Sequence, residues 1–444
     1  MIVKVNDAAT EDGTRAADVK QPERPKLRDI MGPGLITGAS DDDPSGIATY
    51  SQAGAQFGYG LGWTLLLTYP LMCAIQQISA DIGRVSGRGL AGNLRQQFPA
   101  WTLHGLVGLL VIANVINIGA DLGAMAAALK LLIDGPAIAY VAMFAIASVL
   151  LEVFVRYSRY VTALKWMTLS LFAYVATAFV VHVPWPTVAI NLVYPQIVWS
   201  SGYITTVVAV FGTTISPYLF FWQAGQEVEQ TEENPVAKPL QNAPEQAPFE
   251  LQRIRLDTYF GMAFSNLVAL FIVVTTAATL HASGHTDIQT SADAAEALRP
   301  LAGRFAFTLF SLGIIGTGIL ALPVLAGSAA YALGETFGWT VGLARKAKQA
   351  KAFYGAIAAA TAVGALMNFI SLDPVKALFW SAVLNGIVAV PVMVMVMLLA
   401  SRRSVMGQFV IGRALKFFGW LATAVMLTAT ASMFIAMFFQ SAAP

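Results

Sequence analysis

About eleven times along this chain, some twenty apolar residues run together before charges or a turn interrupt them. A helix of about 20 residues is what crosses the hydrocarbon layer of a bilayer. Spans are therefore expected at 31–57, 63–82, 103–133, 136–154, 162–181, 203–226, 256–280, 305–337, 353–370, 377–400 and 414–439. Only 12% of the 444 residues are charged and 57% are hydrophobic; a soluble domain carries about 25% charge. The chain reads as an all-α integral membrane protein.

Residues 1–28 are polar and mixed in charge, with no apolar core ahead of a cleavage site, so no signal peptide is expected there. The segment 1–29 reads as a disordered cytoplasmic tail. All but four of the 27 lysines and arginines (the exceptions are Lys130, Arg299, Arg304 and Lys376) lie in or beside segments that share one side if the N-terminus is inside. Positive residues favour the cytoplasm, so the N-terminus is expected inside and, after eleven spans, the C-terminus outside. The expected location is a bacterial inner membrane. The loop 226–255 reads as polar and cytoplasmic, and Glu227, Glu229, Glu232 and Glu233 as a solvated charge run. In the external loop 281–299, Thr290 or Ser291 is expected to cap a short helix.

Two spans break the rule that backbone groups in lipid are bonded internally. The first carries GPG (Gly32–Gly34) and then DDDPSG (Asp41–Gly46); the sixth carries FGTTISPYLFFWQ (Phe211–Gln223). Five intervals separate them. Interrupted spans in corresponding places of two halves mark an inverted-repeat transporter with its substrate near the midplane. Pro44 lacks an N–H and turns Asp43 away from helical geometry. The helix restarting there sets a positive dipole end beside the Asp43 carboxylate. An aspartate inside a span is a functional residue by default; the plainer reading is that some of Asp41, Asp42 and Asp43 cap the restarted helix or face water. Thr213, Thr214, Ser216, Tyr218 and Gln223 offer only oxygen and amide groups, and no Met, Cys or His occurs in that break. Hard oxygen donors suit Mg²⁺, Ca²⁺ and Mn²⁺. Mg²⁺ sheds water reluctantly, so few direct protein ligands are expected.

These residues resemble the NRAMP family of divalent-metal transporters. DPSGIAT stands where that family has DPGN, an aromatic residue, Ala and Thr, and GTTISPYL (Gly212–Leu219) stands at its G-A-T-x-M-P-H-N pattern. Asp121-Leu122-Gly123-Ala124 falls at its Asp-Leu-x-Glu. The resemblance implies a LeuT-like 5+5 inverted repeat with broken helices one and six. It occupies residues 30–400, in halves 30–182 and 203–400, with one further helix at 413–439. Asp43 matches the family's metal-binding aspartate. Gly46 replaces its asparagine, Ser216 its methionine, Tyr218 and Gln223 its two histidines, and Ala124 the acidic residue of span three. The departures are similar to those of NRAMP-related magnesium transporters, in which the ion binds partly hydrated and proton coupling is absent.

The expected cation ligands are thus Asp43, Gly46, Thr213 and Ser216, with Asp42, Tyr218, Gln223, Asp121 and Asn385 secondary or acting through water. The ion is cargo, and no resident cofactor is implied. The partners are a divalent cation and the lipid bilayer, with no nucleic acid; a monomer is compatible with the sequence. The motion expected is alternating access, spans one and six rocking against three, four, eight and nine. With the histidines gone, membrane potential is the expected drive: about 4.6 kcal/mol for a +2 ion over 100 mV.

Other polar residues carry two readings. Asn114, Asn117 and Asp121 share one face of span three and could line a water path or bond neighbouring helices. Gln76, Gln77 and Asp81 could form an inner vestibule or anchor a loop. Glu152 is expected to pair with Arg156. Asn385 could face the site or serve packing. Cys73 stands alone and the four histidines do not cluster, so no cysteine or histidine metal site is expected. A transporter of a small organic solute, an amino acid or amine, is the alternative, with Tyr218, Phe220, Phe221 and Trp222 as its wall. A membrane enzyme is disfavoured because no phosphate-binding loop accompanies the aspartates.

Overall fold

The computed structural model describes residues 33–155, 169–370 and 373–441, and these are helical with no strand among them. The expected tail 1–29 and Arg156 lie outside the described residues. The principal helices are α1 (Pro33–Asp41), α2 (Pro44–Phe57), α3 (Gly62–Ser86), α4 (Leu90–Gln97), α5 (Ala100–Lys130) and α6 (Ala137–Phe154). There follow α7 (Phe172–Val180), α8 (Trp185–Val193), α9 (Ser201–Thr214), α10 (Pro217–Glu233) and α11 (Ala247–Thr279). The last are α12 (Ala306–Phe337), α13 (Lys351–Met367), α14 (Pro374–Ala400) and α15 (Arg413–Ser441).

By length and apolarity eight of the described helices can cross a membrane, or nine if a pair bent by 117° (Leu169–Val180 with Trp185–Val193) is one span. The expected eleven is reached by counting the continuous α2–α3 run as two and adding α13, a shorter apolar helix. The helix α8 was not expected from the sequence; Pro184 and Pro186 set its first turn, where a missing N–H costs nothing.

Both breaks fall where the prolines stand. α1 ends at Asp41, Asp43 is extended (φ −69°, ψ 171°), and α2 restarts on Pro44. α9 ends at Thr214, Ile215 leaves helical geometry (φ −121°, ψ 61°), and α10 restarts on Pro217. Elsewhere side chains close the helix ends. Ser200 caps α9 through the Tyr203 N–H, and Asp373 caps α14. Thr290 caps the short helix Ser291–Glu296, in a capping box with Asp293.

The helices pack in two groups. α5, α6, α12 and α13 lie against one another, and α1, α2, α3, α10 and α11 form the other set. α14 bridges them, touching α9, α5 and α2. Its contact with α9 is backbone on backbone: a Cβ on Gly212 would fall 2.0 Å from the Ala382 carbonyl oxygen and 2.5 Å from the Gly386 nitrogen. Small residues permit such approach within a bilayer.

α10 runs past the expected end of its span to Glu233, which corrects the solvated reading for Glu227 and Glu229, while Glu232 and Glu233 are exposed as expected. Glu227 is fully buried and ion-paired with Arg253. Glu229 accepts from the Tyr331 hydroxyl and from the Leu343 and Ala344 amides. Glu232 pairs with Arg345 at 2.8 Å.

Candidate metal centre

Asp43 sits in the gap between α1 and α2, only 2% exposed. Its Oδ1 accepts from the Ser45 hydroxyl and the Gly46 N–H, both at 2.7 Å. Its Oδ2 accepts from Asn117 Nδ2 at 3.1 Å and from the Tyr218 hydroxyl at 3.3 Å. Four donors on one carboxylate, at the N-terminus of a helix, favour its charged form, against the burial that opposes charge. The capping and the functional readings of this aspartate are therefore both realised in one residue.

The elements that deliver these donors are those the broken spans and span three supply. Tyr218 is the second residue of α10, and its hydroxyl also lies 3.5 Å from the Ser40 carbonyl, in the last turn of α1. Asn117 and Asp121 are one turn apart on α5. Asp121 is fully buried, lies within electrostatic reach of Asp43, and neither of its oxygens has a partner. The third polar residue of that face turns elsewhere: Asn114 donates to the Leu325 carbonyl at 2.9 Å and the Ser328 hydroxyl at 2.8 Å, both on α12. The stripe is thus split, Asn114 bonding helices together and Asn117 reaching the site.

Asp41 and Asp42 meet Ser265 of α11, whose hydroxyl lies 2.7 Å from Asp41 Oδ2 and 3.2 Å from Asp42 Oδ1. One hydroxyl carries one hydrogen, so it serves one carboxylate at a time. Asp41 Oδ1 and Asp42 Oδ2 are buried without a partner. The expectation that Asp41 or Asp42 caps the restarted helix is corrected; Asp43 does so. Four carboxylates thus gather around the first break, and no lysine, arginine or histidine is hydrogen-bonded to any of them among the described residues. Buried charges need pairing or a cation.

Other expected ligands stand differently. Gly46 gives its N–H to Asp43 and has no side chain to coordinate with; it positions the carboxylate. The Thr213 hydroxyl bonds the Tyr50 hydroxyl at 3.0 Å and the Val210 carbonyl at 2.9 Å. The Ser216 hydroxyl bonds the Gly212 and Thr213 carbonyls at 2.9 and 2.7 Å. Both therefore donate to the broken end of α9 and keep only oxygen lone pairs for a ligand. Asn385 is 1% exposed with both amide atoms unpartnered, beside the Gly212–Gly386 contact.

Gln223 turns its amide away from Asp43. Its Oε1 accepts from Gln76 at 2.5 Å and its Nε2 donates to Thr258 at 2.9 Å, five residues beyond Tyr218 on α10, so it belongs to a separate polar chain. Gln76 also donates to the Leu219 carbonyl at 2.9 Å, which makes it a clamp across α3 and α10. The aromatic wall proposed for an organic solute is not formed by Trp222, which packs on Gly327 and, at 6.1 Å between ring centres, on Tyr331.

Sequence reasoning missed Ser265 and Tyr50. Tyr50 lay in plain view, two turns after Asp43 on α2; Ser265 has no signal beyond being a hydroxyl in an apolar run. Among the described residues no three acidic, histidine or cysteine side chains are arranged as a ready-made set of metal ligands. A cavity of about 550 Å³ is lined by Ala48, Gln52 and Gln56 of α2, Thr205 and Thr206 of α9, and Trp380 of α14, and none of the carboxylates around the break lines it.

Comparison with known proteins gives a consistent result. The family profile described as natural resistance-associated macrophage protein-like (Nramp) matches residues 34–436. A relative from Klebsiella pneumoniae, the divalent metal cation transporter MntH, is 25% identical over 90% of this chain and 92% of its own. The MntH of Aeromonas hydrophila is 26% identical over 67% of this chain and 71% of its own. Among solved structures, the Eremococcus coleocola manganese transporter superposes with a TM-score of 0.72 at 18% identity, covering 97% of this chain and 92% of its own. Mhp1, a nucleobase-cation-symport-1 family transporter, does so at 0.54 and 14%, covering 91% and 92%. These two likenesses concern the fold, which is that of the LeuT-like transporters.

Proposed function

The chain belongs to the Nramp family, as a membrane transporter of divalent metal cations and not an enzyme, and from that premise we propose that its cargo is a hard, partly hydrated cation, Mg²⁺ first and Mn²⁺ second, carried without proton coupling. The observation that carries this reading is the donor set around Asp43. Asp43, Asp121, Asp41 and Asp42 supply carboxylate oxygens, Asn117 and Tyr218 supply an amide and a hydroxyl, and sulfur and imidazole are missing from their hydrogen-bonding partners. Such a set favours hard cations. The carboxylates neutralise the ion while Tyr218 and Asn117 orient Asp43 and face its water. Ser216 and Thr213 present their remaining lone pairs from the second break.

Proton coupling needs a group that titrates near neutrality and lies on the cation's path; histidine is the usual one. Here Tyr218 and Gln223 stand at the two positions where the resemblance puts histidines. The ion gradient and the membrane potential then drive uptake.

With the N-terminus cytoplasmic, as the lysine and arginine bias argues, the cavity lined by Gln52 and Gln56, toward the far end of α2, lies on the outer side. On the other side the Gln76–Gln223 bond joins α3 to α10 and the Gln226–Tyr331 bond joins α10 to α12. Transport then proceeds by rocking α1, α2, α10 and α11 against α5, α6, α12 and α13.

The test is uptake of Mg²⁺, Mn²⁺ and Ca²⁺ into proteoliposomes carrying an internal pH dye, for the wild type and Asp43→Ala. Entry of Mg²⁺ and Mn²⁺ without acidification, lost in the variant, is expected. Entry accompanied by acidification, or uptake untouched by the variant, overturns the proposal.

A further inference from the structure

Tyr50 stands on α2 four residues beyond Gly46 and seven beyond Asp43, with its side chain fully buried. Residues at i, i+4 and i+7 share one face of a helix. A helical side chain also leans toward the N-terminus of its helix and covers the turn before its own Cα. The Tyr50 ring accordingly lies back over Gly46, toward the break. A Cβ on Gly46 would fall 3.3 Å from Cε2 of that ring, 3.4 Å from the Asp41 carbonyl oxygen and 3.6 Å from Asp43 Oδ1. The space over Gly46 is thus bounded on one side by oxygens of the break and on the other by the tyrosine.

The ring is also held at its far end. The Tyr50 hydroxyl bonds the Thr213 hydroxyl at 3.0 Å, in the last turn of α9. Thr213 lies 2.9 Å from the Val210 carbonyl as well. One hydroxyl carries one hydrogen, so Tyr50 donates to Thr213 whenever Thr213 donates to Val210. Either way a buried phenol keeps the partner it needs, and the ring swings aside only by giving that partner up. Tyr50 lies within electrostatic reach of Asp41, Asp42 and Asp43, so it stands at the carboxylates and not against lipid. The start of α2 does not depend on it, because Asp43 and the Gly46 N–H close that end.

We propose that Tyr50 determines cargo: its ring takes the room that a side chain on residue 46 would need, so a cation at Asp43 meets no direct ligand from that turn of α2 and keeps water there. The inference rests on the divalent-cation reading above and deepens it. Gly46 and Tyr50 then act as one device. Gly46 supplies an N–H to Asp43 and no ligand atom, and Tyr50, pinned to α9, holds the space against a replacement. Mg²⁺ gives up water reluctantly, so a site that leaves this position to water suits it. Mn²⁺ accepts the same oxygen donors but is denied the extra protein ligand that would favour it over Mg²⁺.

The experiment is competition between Mg²⁺ and Mn²⁺ for the purified full chain, with free Mn²⁺ read by electron paramagnetic resonance and Asp43→Ala as the background. Gly46→Asn alone is expected to weaken Mn²⁺ binding about tenfold, within the usual cost of overpacking. Tyr50→Leu removes the outer ring atoms and alone keeps the wild-type order of the two metals. The two substitutions together regain Mn²⁺ binding and shift the affinity ratio about tenfold toward Mn²⁺, because an amide oxygen now replaces a water. Gly46→Asn with Tyr50→Phe keeps the ring and stays as weak as Gly46→Asn. A merely structural role would not move the order of the metals. Gly46→Ala, with and without Tyr50→Leu, repeats the steric half with a smaller change, in case the larger pair does not fold: binding falls severalfold and is restored. Wild-type Mn²⁺ binding in Gly46→Asn, no recovery on adding Tyr50→Leu to either substitution at 46, or an unshifted metal order in the Gly46→Asn pair overturns the proposal. Failure of the divalent-cation reading appears separately, as wild-type protein that binds no more Mn²⁺ than Asp43→Ala does.

Discussion

Tyr218 reaches Asp43 across the gap between the two broken spans, its hydroxyl donating to Oδ2 at 3.3 Å. The bond joins the start of α10 to the start of α2, so both halves of the site move or hold together. Asn117 of α5, in the opposing group of helices, donates to the same oxygen at 3.1 Å. One carboxylate atom is thus a meeting point of the two groups of helices.

The role of Asp43 as both counter-charge and helix cap separates by substitution. Asn caps a helix about as well as Asp, whereas Ala costs about 1 kcal/mol. Asp43→Asn is expected to keep wild-type thermal stability and lose at least tenfold in Mn²⁺ uptake. Asp43→Ala loses the same uptake and in addition melts several degrees lower. Equal melting temperatures for the two would remove the cap from the argument.

Because Tyr218 and Asn117 share one oxygen, their losses are not independent. Each hydrogen bond to a charged group is worth about 1.5–3 kcal/mol, so Tyr218→Phe and Asn117→Ala are each expected to raise the KM for Mn²⁺ about tenfold. The double variant falls short of the sum by 0.5 kcal/mol or more, as expected for residues in one network. Strict additivity in a double-mutant cycle contradicts a shared anchor. Asn114→Ala, three residues away but bonded to α12, leaves KM alone and costs about 0.6 kcal/mol of stability.

The contact of α9 with α14 gives a purely steric prediction. Gly212→Ala puts a methyl group 2.0 Å from the Ala382 carbonyl oxygen, where only backbone can move. Overpacking costs typically 1–3 kcal/mol, and here the helix that carries the second break is displaced. Little monodisperse protein is expected from this variant. Gly105→Ala, which meets nothing within 4 Å, serves as the control and behaves as wild type in gel filtration.

How far these sites could be read in advance depended on how local their signals are. Asp43 was legible because a charge before a proline in an apolar span violates two rules at once. Asp121 was legible from the spacing of polar residues on α5. Glu227 was misread because its partner, Arg253, is 26 positions away on another helix, and a glutamate among glutamates looks solvated. The partners of Gln223 were not legible, because they are Gln76 of α3 and Thr258 of α11, distant in sequence. The pairing of Asp41 and Asp42 with Ser265, more than 200 positions on, depends on how α1 docks on α11, which no local pattern encodes.

Ser216 provides the sharpest test of cargo choice. It stands in the second break where the resemblance puts a methionine, and its hydroxyl oxygen is a hard donor. Thioether sulfur favours softer transition metals over Mg²⁺. Ser216→Met is therefore expected to raise the potency of Cd²⁺ as a competitor of Mn²⁺ uptake by about tenfold and to lower that of Mg²⁺. The same change removes the bonds from Ser216 to the Gly212 and Thr213 carbonyls, so total turnover falls as well. Ser216→Ala removes those bonds without adding sulfur and separates the two effects. Turnover falls in both variants, while only the methionine shifts the order of the metals. An unchanged Cd²⁺-to-Mg²⁺ ratio in Ser216→Met means that the second break does not touch the ion, and selectivity then rests on the carboxylates of the first.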